Sequence, residues 1–406
     1  RLNELVADLA LEDSLVARAS LEARVEMTFP LAGLAERRSL SVEWWHARRF
    51  VMACCRDLTG LGAAELRNLA GALASPQSKE DGWLFLALPT APAQAQEQAW
   101  RVAAGGLEER FAAALLAWLP RELSPAEQDQ LIEHAALFRM LDDPTVARPR
   151  DPELRAGLRD RWESSQTAVQ QLLRSAYHHG RVLAASGAQV MEPERLQSLS
   201  GQWEETLAAL FASPFRTLFP YFPSIAPARR LAGRAQTNQI VDQFIRPGRV
   251  SLPPASTLEA HLLAYAAPLG LVEGETREFA LALQRRELVE AALAAAPPRS
   301  DPDRLEPEEA ISVRELIGRL GKSKWGITPE QAELLVAALV RTGYLLGSAA
   351  DAAVRDNLER PRVRTGIMRD THTWDQIQVI HESALARWDH ARQAGATLLI
   401  AKLDRL

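Results

Sequence analysis

The stretch on which the predicted fold depends is SVRELIGRLGKSKWGITPEQAELLVAALVRTGYLLG, residues 312–347. It contains two capping boxes, Ser-Val-Arg-Glu beginning at Ser312 and Thr-Pro-Glu-Gln beginning at Thr328, and each marks the start of a helix. A Trp-Gly-Ile turn at 325–327 separates them, and a strand-like Tyr-Leu-Leu follows the second helix. Two helices joined by a Gly-containing turn predict a helix-turn-helix or winged-helix unit.

The same stretch contains Gly-Lys-Ser at 321–323, which looks like the end of a phosphate-binding loop. Such a loop needs another glycine five residues before the Gly of Gly-Lys-Ser, and it follows a strand so that backbone N–H groups can surround the phosphates. The required position is Leu316, inside the first predicted helix. We therefore interpret Gly321 as the end of that helix and expect no nucleotide site there.

The second predicted helix is acidic where a DNA-reading helix is normally basic. Glu330 and Glu333 lie in its first turns and Arg341 only at its far end, although recognition helices present donors near their start. The neighbouring basic sequence has two interpretations. It is either a basic wing that binds phosphates or a solvated loop in a winged-helix unit that contacts protein. The candidate nucleic-acid-binding residues are Lys322, Lys324, Arg360, Arg362, Arg364 and Arg369.

Composition favours helices throughout. Of the 406 residues 47% are hydrophobic, and Ala and Leu outnumber Val and Ile, which predicts a mainly all-α fold of helical layers with the winged-helix unit near the C-terminus. The net charge of −5 gives no general attraction to nucleic acid. Adjacent Cys54 and Cys55 are typical neither of a disulfide nor of zinc binding, so we expect a cytoplasmic location. No apolar run is long enough to predict a membrane span, and we expect no membrane partner.

Proline-rich connectors divide the chain into predicted domains. Helices are expected from Ser41 onward and over 94–118, and the run Trp-Leu-Phe-Leu-Ala-Leu at 83–88 is the one strand-like segment. The predicted parts are an N-terminal helical domain 1–147, a central helical domain 151–296, a winged-helix-like unit 303–370 and a C-terminal helix 371–406.

The segment SPFRTLFPYFP, residues 213–223, contains three prolines and four aromatic residues, and we expect no regular helix in it. It is interpreted either as an aromatic plug between helical layers or as a loop that docks a partner. The candidate docking residues, including the arginines that follow, are Phe215, Phe219, Tyr221, Phe222, Arg229 and Arg230.

The residues do not form a recognisable catalytic or metal-binding pattern. His178 and His179 fall at a predicted helix end, where positive charge is favourable. His372, His381 and His390 are nine residues apart, a spacing that places successive side chains on different sides of a helix. We therefore predict no catalytic residue, no metal site and no cofactor in this chain. An enzyme of unrecognised type stays as a further hypothesis.

Four segments resemble a known family: LPRELSPAEQDQLIEHAALFRMLDDP (119–144), AYHHG (176–180), RTLFPYFPSIAP (216–227) and KWGITPEQAELLVAALVRTGYL (324–345). They are similar to the helical region downstream of the ATPase core in large bacterial P-loop proteins, the phage-resistance ATPases of BREX-type defence islands and their relatives. The resemblance implies a non-catalytic segment that contacts other subunits or domains of a defence complex, or double-stranded DNA. ATP and Mg²⁺ would belong to an upstream domain, which the mid-helix start at Arg1 also leads us to expect. The alternative is a stand-alone DNA-binding regulator with a basic wing.

Overall fold

The computed structural model describes residues 38–89, 91–107, 110–142, 152–199, 203–230, 234–274, 277–296, 313–342, 344–348 and 376–379. It is an α/β protein with a five-stranded mixed sheet and a three-stranded sheet, so the predicted all-α fold is wrong. The described chain forms two units. Unit 1 contains residues 38–43, 49–73 and 79–218, and unit 2 contains 44–48, 74–78 and the described residues from 219 onward.

A mixed sheet whose five strands lie side by side in chain order forms the centre of unit 1. Its second, third and fourth strands are parallel, with Val51 opposite Gly82 and Trp83 opposite Leu115, and the fifth is antiparallel to the fourth. The strands are β1 (Arg38–Trp44), β2 (Ala47–Arg56), β3 (Gly82–Ala87), β4 (Leu115–Leu119) and β5 (Arg181–Ala184).

Three of these strands, β1, β2 and β4, fall at least partly where helices were predicted. The helix expected from Ser41 is the β1–β2 hairpin, and the helix over 94–118 ends at Ala104 and is followed by a 3₁₀ turn and β4. Every residue of β3 and β4 is buried, as in parallel strands that are covered on both faces. Continuous apolar runs of this kind carry no period, so local sequence does not distinguish a buried strand from a buried helix. The strand-like run at 83–88 does form a strand.

Six helices of unit 1 complete the described part of its core. The first two connect β2 to β3 and β3 to β4, and both crossovers advance in the same direction along the sheet. The sixth continues through Pro214, so the first half of the segment expected to be irregular is helical. The helices are α1 (Ala63–Ala74), α2 (Ala93–Ala104), α3 (Pro125–Asp142), α4 (Pro152–His178), α5 (Pro193–Ser198) and α6 (Trp203–Leu218).

Unit 2 combines short helices with small antiparallel sheets. Its helices are α7 (Phe222–Ile225), α8 (Arg234–Ile240), α9 (Thr257–His261), α10 (Arg286–Ala295), α11 (Val313–Lys322) and α12 (Pro329–Arg341). Helices α8 and α9 each continue into a π-helical turn, at Val241–Ile245 and Leu262–Ala266. Strands β6 (Arg249–Ser251), β7 (Val272–Glu273) and β8 (Glu278–Leu281) form a sheet in the order β6-β8-β7, and β9 (Leu345–Ser348) pairs with β10 (Gln376–Val379).

Helix α12 is the central helix of unit 2. Thr328 caps it through the predicted capping box with Gln331. From Gln331 to Leu339 no residue is exposed, and the buried Gln331 amide donates to the carbonyl of Ile225 at 2.7 Å. A helix that is covered on all sides belongs to a core. Helix α11 ends at Lys322, one residue beyond the predicted stop at Gly321.

Candidate interaction surface

The carboxyl edge of the parallel strands in unit 1 is the usual ligand site of an α/β sheet, and here the protein's own groups occupy much of it. Gln96 of α2 is fully buried. Its amide oxygen accepts from the N–H groups of Leu58 and Leu88 at 3.2 and 3.0 Å, and its amide nitrogen donates to the carbonyls of Leu88 and Ala91 at 2.8 and 3.2 Å. One side chain thus fastens the loops that follow β2 and β3.

Tyr177, near the end of α4, completes this edge. Its hydroxyl donates to the carbonyl of Ala87 at 2.7 Å, and the Trp118 indole N–H donates to the carbonyl of Tyr177 at 2.9 Å. Burial raises the pKa of the Tyr177 hydroxyl well above its ordinary value, and the neighbouring Cys55 contributes to the same shift. The tyrosine therefore remains a neutral hydrogen-bond donor, and the geometry indicates a structural role.

The adjacent histidines lie where the sequence placed them, at the end of α4. Burial, together with the positive charges of Arg174 and His179, lowers the pKa of His178. Within the described ranges no group of three or more His, Cys, Asp or Glu side chains could hold a metal ion. Among the helices that the structure describes, none is long and apolar enough to cross a bilayer.

The structure places the predicted nucleic-acid-binding residues in different environments. Lys322 is buried, whereas Lys324 is exposed in the turn between α11 and α12. Arg360, Arg362, Arg364 and Arg369 lie outside the described residues. Because α12 has no exposed face between Gln331 and Leu339, it has no free side to insert into a DNA groove.

The predicted docking residues divide into buried and exposed sets. Phe215, Phe219 and Phe222 are fully buried, and Phe215 lies in unit 1 with its ring centroid 5.2 Å from that of Phe211. Tyr221 is 47% exposed, and Arg229 and Arg230 are also exposed. The three phenylalanines therefore fill cores, whereas Tyr221, Arg229 and Arg230 lie at the surface.

Tyr221 stands beside the turn of the helix pair in unit 2. Its ring centroid lies 5.1 Å from that of Trp325, and its backbone N–H donates to the carbonyl of Lys324 at 3.4 Å. Trp325 is largely buried, and the exposed ring of Tyr221 packs against it. An exposed aromatic ring and an exposed ammonium group consequently lie on the same part of the surface.

A second exposed ring comes from the tip of the β1–β2 hairpin, which belongs to unit 2. Trp45 and His46 both have positive φ, 51° and 59°, the signs required by a type I′ turn, which normally holds Asn or Gly. Trp44 is buried and stacks on Phe222 at 5.2 Å, while Trp45 is 46% exposed. The tip is thus anchored on the residue next to Tyr221.

Trp45 and His46 are not among the residues predicted to bind, because the helix predicted from Ser41 covers both. The turn carries neither of the residues, Asn or Gly, that normally reveal a two-residue hairpin. Two tryptophans followed by a histidine contain no other local signal for a turn. Only the pairing of the flanking strands identifies it.

The segments around these rings are positively charged. No acidic residue occurs between Glu205 and Asp242, a stretch with four arginines, and none occurs over 319–329, which has three basic residues. We use the name aromatic–basic surface for the exposed residues that these segments and the hairpin tip contribute to unit 2. It consists of Trp45, His46, Tyr221, Arg229, Arg230 and Lys324.

No family model, no curated protein and no solved structure matches this chain.

Proposed function

We propose that this chain is a non-catalytic, contact-making segment of a large bacterial anti-phage defence ATPase. In this proposal it mediates protein or DNA contacts and couples them to an upstream nucleotide-binding domain. The observation that carries the contact role is the aromatic–basic surface, where Trp45 and Tyr221 are nearly half exposed. The family assignment is supported by the sequence resemblance alone.

The geometry of unit 1 supports a scaffold role. Gln96 and Tyr177 fill the carboxyl edge of the sheet with hydrogen bonds to Leu58, Ala87 and Leu88. Groups that hold backbone together at this edge stabilise the fold instead of facing a substrate. Unit 1 would then provide a rigid support within the larger protein.

The second candidate function is a stand-alone DNA-binding regulator. Lys324, exposed beside the helix pair, favours it. The β7–β8 hairpin opposes it, because the exposed carboxylates of Glu273 and Glu278 would repel phosphates. The enclosed α12 opposes it further, since the second helix of a helix-turn-helix normally enters the groove and this one lies within the core.

Phosphate release from Mg-ATP by the purified chain tests the absence of catalysis. We expect no release above a protein-free blank. Turnover that rises in proportion to protein concentration and survives further purification would contradict the proposal.

A plating experiment tests the defence role. The full-length gene, expressed in a phage-sensitive bacterium, should reduce plaque formation, and the same gene with Tyr221→Ala should protect less. Leu263→Ala, at another exposed apolar position of unit 2, is the matched control and should protect like the parent. Equal plating with and without the parent gene would overturn the defence assignment.

A further inference from the structure

We infer that the aromatic–basic surface binds single-stranded nucleic acid, with Trp45 and Tyr221 stacking on bases while Lys324 and Arg229 contact phosphates. This inference rests on the proposed contact role and names the partner class. Proteins that bind single strands combine exposed aromatic side chains with a positively charged path for the backbone. Trp45 and Tyr221 provide the exposed rings, and Lys324 beside Tyr221, together with the exposed Arg229, provides positive charge.

The backbone that carries the two exposed rings is anchored in the core of unit 2. Trp45 follows Trp44 and Tyr221 precedes Phe222, and Trp44 and Phe222 stack with an interplanar angle of 22°. Phe219 lies 6.4 Å from Trp44, centroid to centroid, and so joins the same cluster. Both exposed rings are therefore carried by residues next to one buried aromatic cluster, so little backbone entropy has to be lost when a base stacks on them.

The hairpin tip retains backbone strain that a different sequence would avoid. A non-glycine residue with positive φ raises the energy of the folded state by about 1–3 kcal/mol, and Trp45 and His46 are consecutive residues of this kind. Gly or Asn would relieve the strain without loss of core packing, because both side chains are exposed. The residues present instead place an aromatic ring and an imidazole in solvent, as a binding surface requires.

The charges favour an anionic partner. Arg229 and Lys324 are exposed and come from the two segments that lack acidic residues. The guanidinium of Arg229 lies 5.9 Å from the ring of Tyr265, whose hydroxyl donates to the carbonyl of Arg230 at 3.0 Å. These contacts fix the direction of the arginine segment relative to the core of unit 2.

A single strand suits this surface better than a duplex or an acidic peptide. Paired bases are stacked inside a duplex and are not accessible to a protruding tryptophan, whereas every unpaired base has an exposed π-face. Helix α12 has no exposed side that could enter the groove of a duplex. An acidic peptide would pair with the arginines but would leave Trp45 and Tyr221 without a stacking partner.

Fluorescence anisotropy with a labelled oligothymidine of about 20 nucleotides tests the inference. We expect Tyr221→Ala and Trp45→Asn each to raise Kd about tenfold, within the range measured for loss of one base stack. Asn tolerates positive φ, so Trp45→Asn should fold at least as well as the parent and separates lost binding from lost structure. Trp45→Phe and Tyr221→Phe should restore most of the affinity, and Leu263→Ala should leave it unchanged.

Salt dependence and competitors complete the experiment. Lys324→Ala should reduce the slope of log K against log salt by about 0.7 if it neutralises one phosphate of a single strand. An unlabelled duplex of the same sequence length and a polyglutamate peptide should each compete poorly. Equal competition by the duplex would point to duplex binding, and equal competition by polyglutamate to an acidic protein partner; either result overturns the inference.

The inference also fails if the oligonucleotide does not bind at low salt, or if both aromatic variants bind like the parent. Such a failure is distinguishable from failure of the proposed function, because plating measures defence and phosphate release measures catalysis. Protection that persists without oligonucleotide binding would leave the contact role intact and exclude the single strand as the partner.

Discussion

Glu127 makes the stability of the start of α3 depend on pH. It lies in the predicted capping box of α3, where its carboxylate accepts from the backbone N–H of Ser124 at 2.9 Å. The Arg121 guanidinium pairs with both carboxylate oxygens, at 2.6 and 2.9 Å. Two hydrogen bonds, the stronger influence from Arg121 and the weaker from the Ser124 backbone, lower the pKa of Glu127 to about 2. The capping box was predictable from local spacing, whereas the ion pair between Glu127 and Arg121 was not.

Replacing Glu127 by Gln should therefore destabilise the protein in a pH-dependent way. Because the folded-state pKa lies below the ordinary value of 4.5, the stabilisation is complete above that value and disappears as pH falls toward 2. Both side chains are about one-third exposed, so we expect a loss of only about 0.5–1 kcal/mol at neutral pH. Urea unfolding at neutral pH and near the folded-state pKa measures it.

The adjacent Glu122 provides the control, because it is exposed and lies outside the capping box. Glu122→Gln should change the free energy of unfolding by less than about 0.5 kcal/mol at either pH. A loss for Glu127→Gln that is the same at both pH values would contradict the ionic explanation.

At the scale of elements, helix starts were predictable and strands mostly were not. Capping boxes depend on residues three apart, and those at Ser124 and Thr328 form as expected. Strand β2 depends on pairing with β3 across more than 25 residues, and no local period marks its apolar run. The alanine-rich composition then favoured helices, and the all-α expectation followed from it.

The same distinction applies to the aromatic–basic surface. Tyr221, Lys324 and the two arginines at 229–230 were named from composition, because prolines, aromatics and basic residues are visible in a linear chain. Trp45 and His46 were not, because their exposure depends on a hairpin and on the packing of Trp44 against Phe222. Local chemistry indicated four of the six residues of the surface, and tertiary pairing determines the exposure of the other two.

The turn between α11 and α12 depends on Gly326. Its φ is +56°, and a Cβ at this position would lie 2.4 Å from the Phe219 ring. Gly326→Ala combines backbone strain with overpacking, so we expect the free energy of unfolding to fall by about 2–4 kcal/mol. Thermal or urea unfolding of the purified variant measures the change.

Gly321→Ala is the matched control in the same segment. Its nearest neighbour would be the carbonyl oxygen of Ile327 at 3.4 Å, and it lies within the last turn of α11. Alanine favours helix more than glycine does, so this variant should be neutral or more stable by up to about 1 kcal/mol. Comparable destabilisation by the two substitutions would show that Gly326 is not specially constrained.

For the whole molecule, the division into two units has a consequence for cooperativity. Unit 1 has its own core around Leu84 of β3, and unit 2 has another around Leu335 of α12; both side chains are fully buried. The chain leaves unit 1 and comes back to it within one hairpin. The tip, residues 44–48, belongs to unit 2, while most of β1 and β2 belongs to unit 1. Sequence order alone would assign the tip to unit 1.

Leu84→Ala and Leu335→Ala should each weaken their own unit by about 2–5 kcal/mol, as expected for a buried leucine replaced by alanine. Hydrogen exchange followed by mass spectrometry should then show faster exchange mainly in β3 and β4 for the first variant and mainly in α11 and α12 for the second. Peptides covering 44–48 are the decisive ones: since Trp44 packs on Phe219 and Phe222, their protection should follow Leu335→Ala. Protection of the tip that instead follows Leu84→Ala would place it energetically in unit 1, and equal effects of both variants throughout would indicate a single cooperative core.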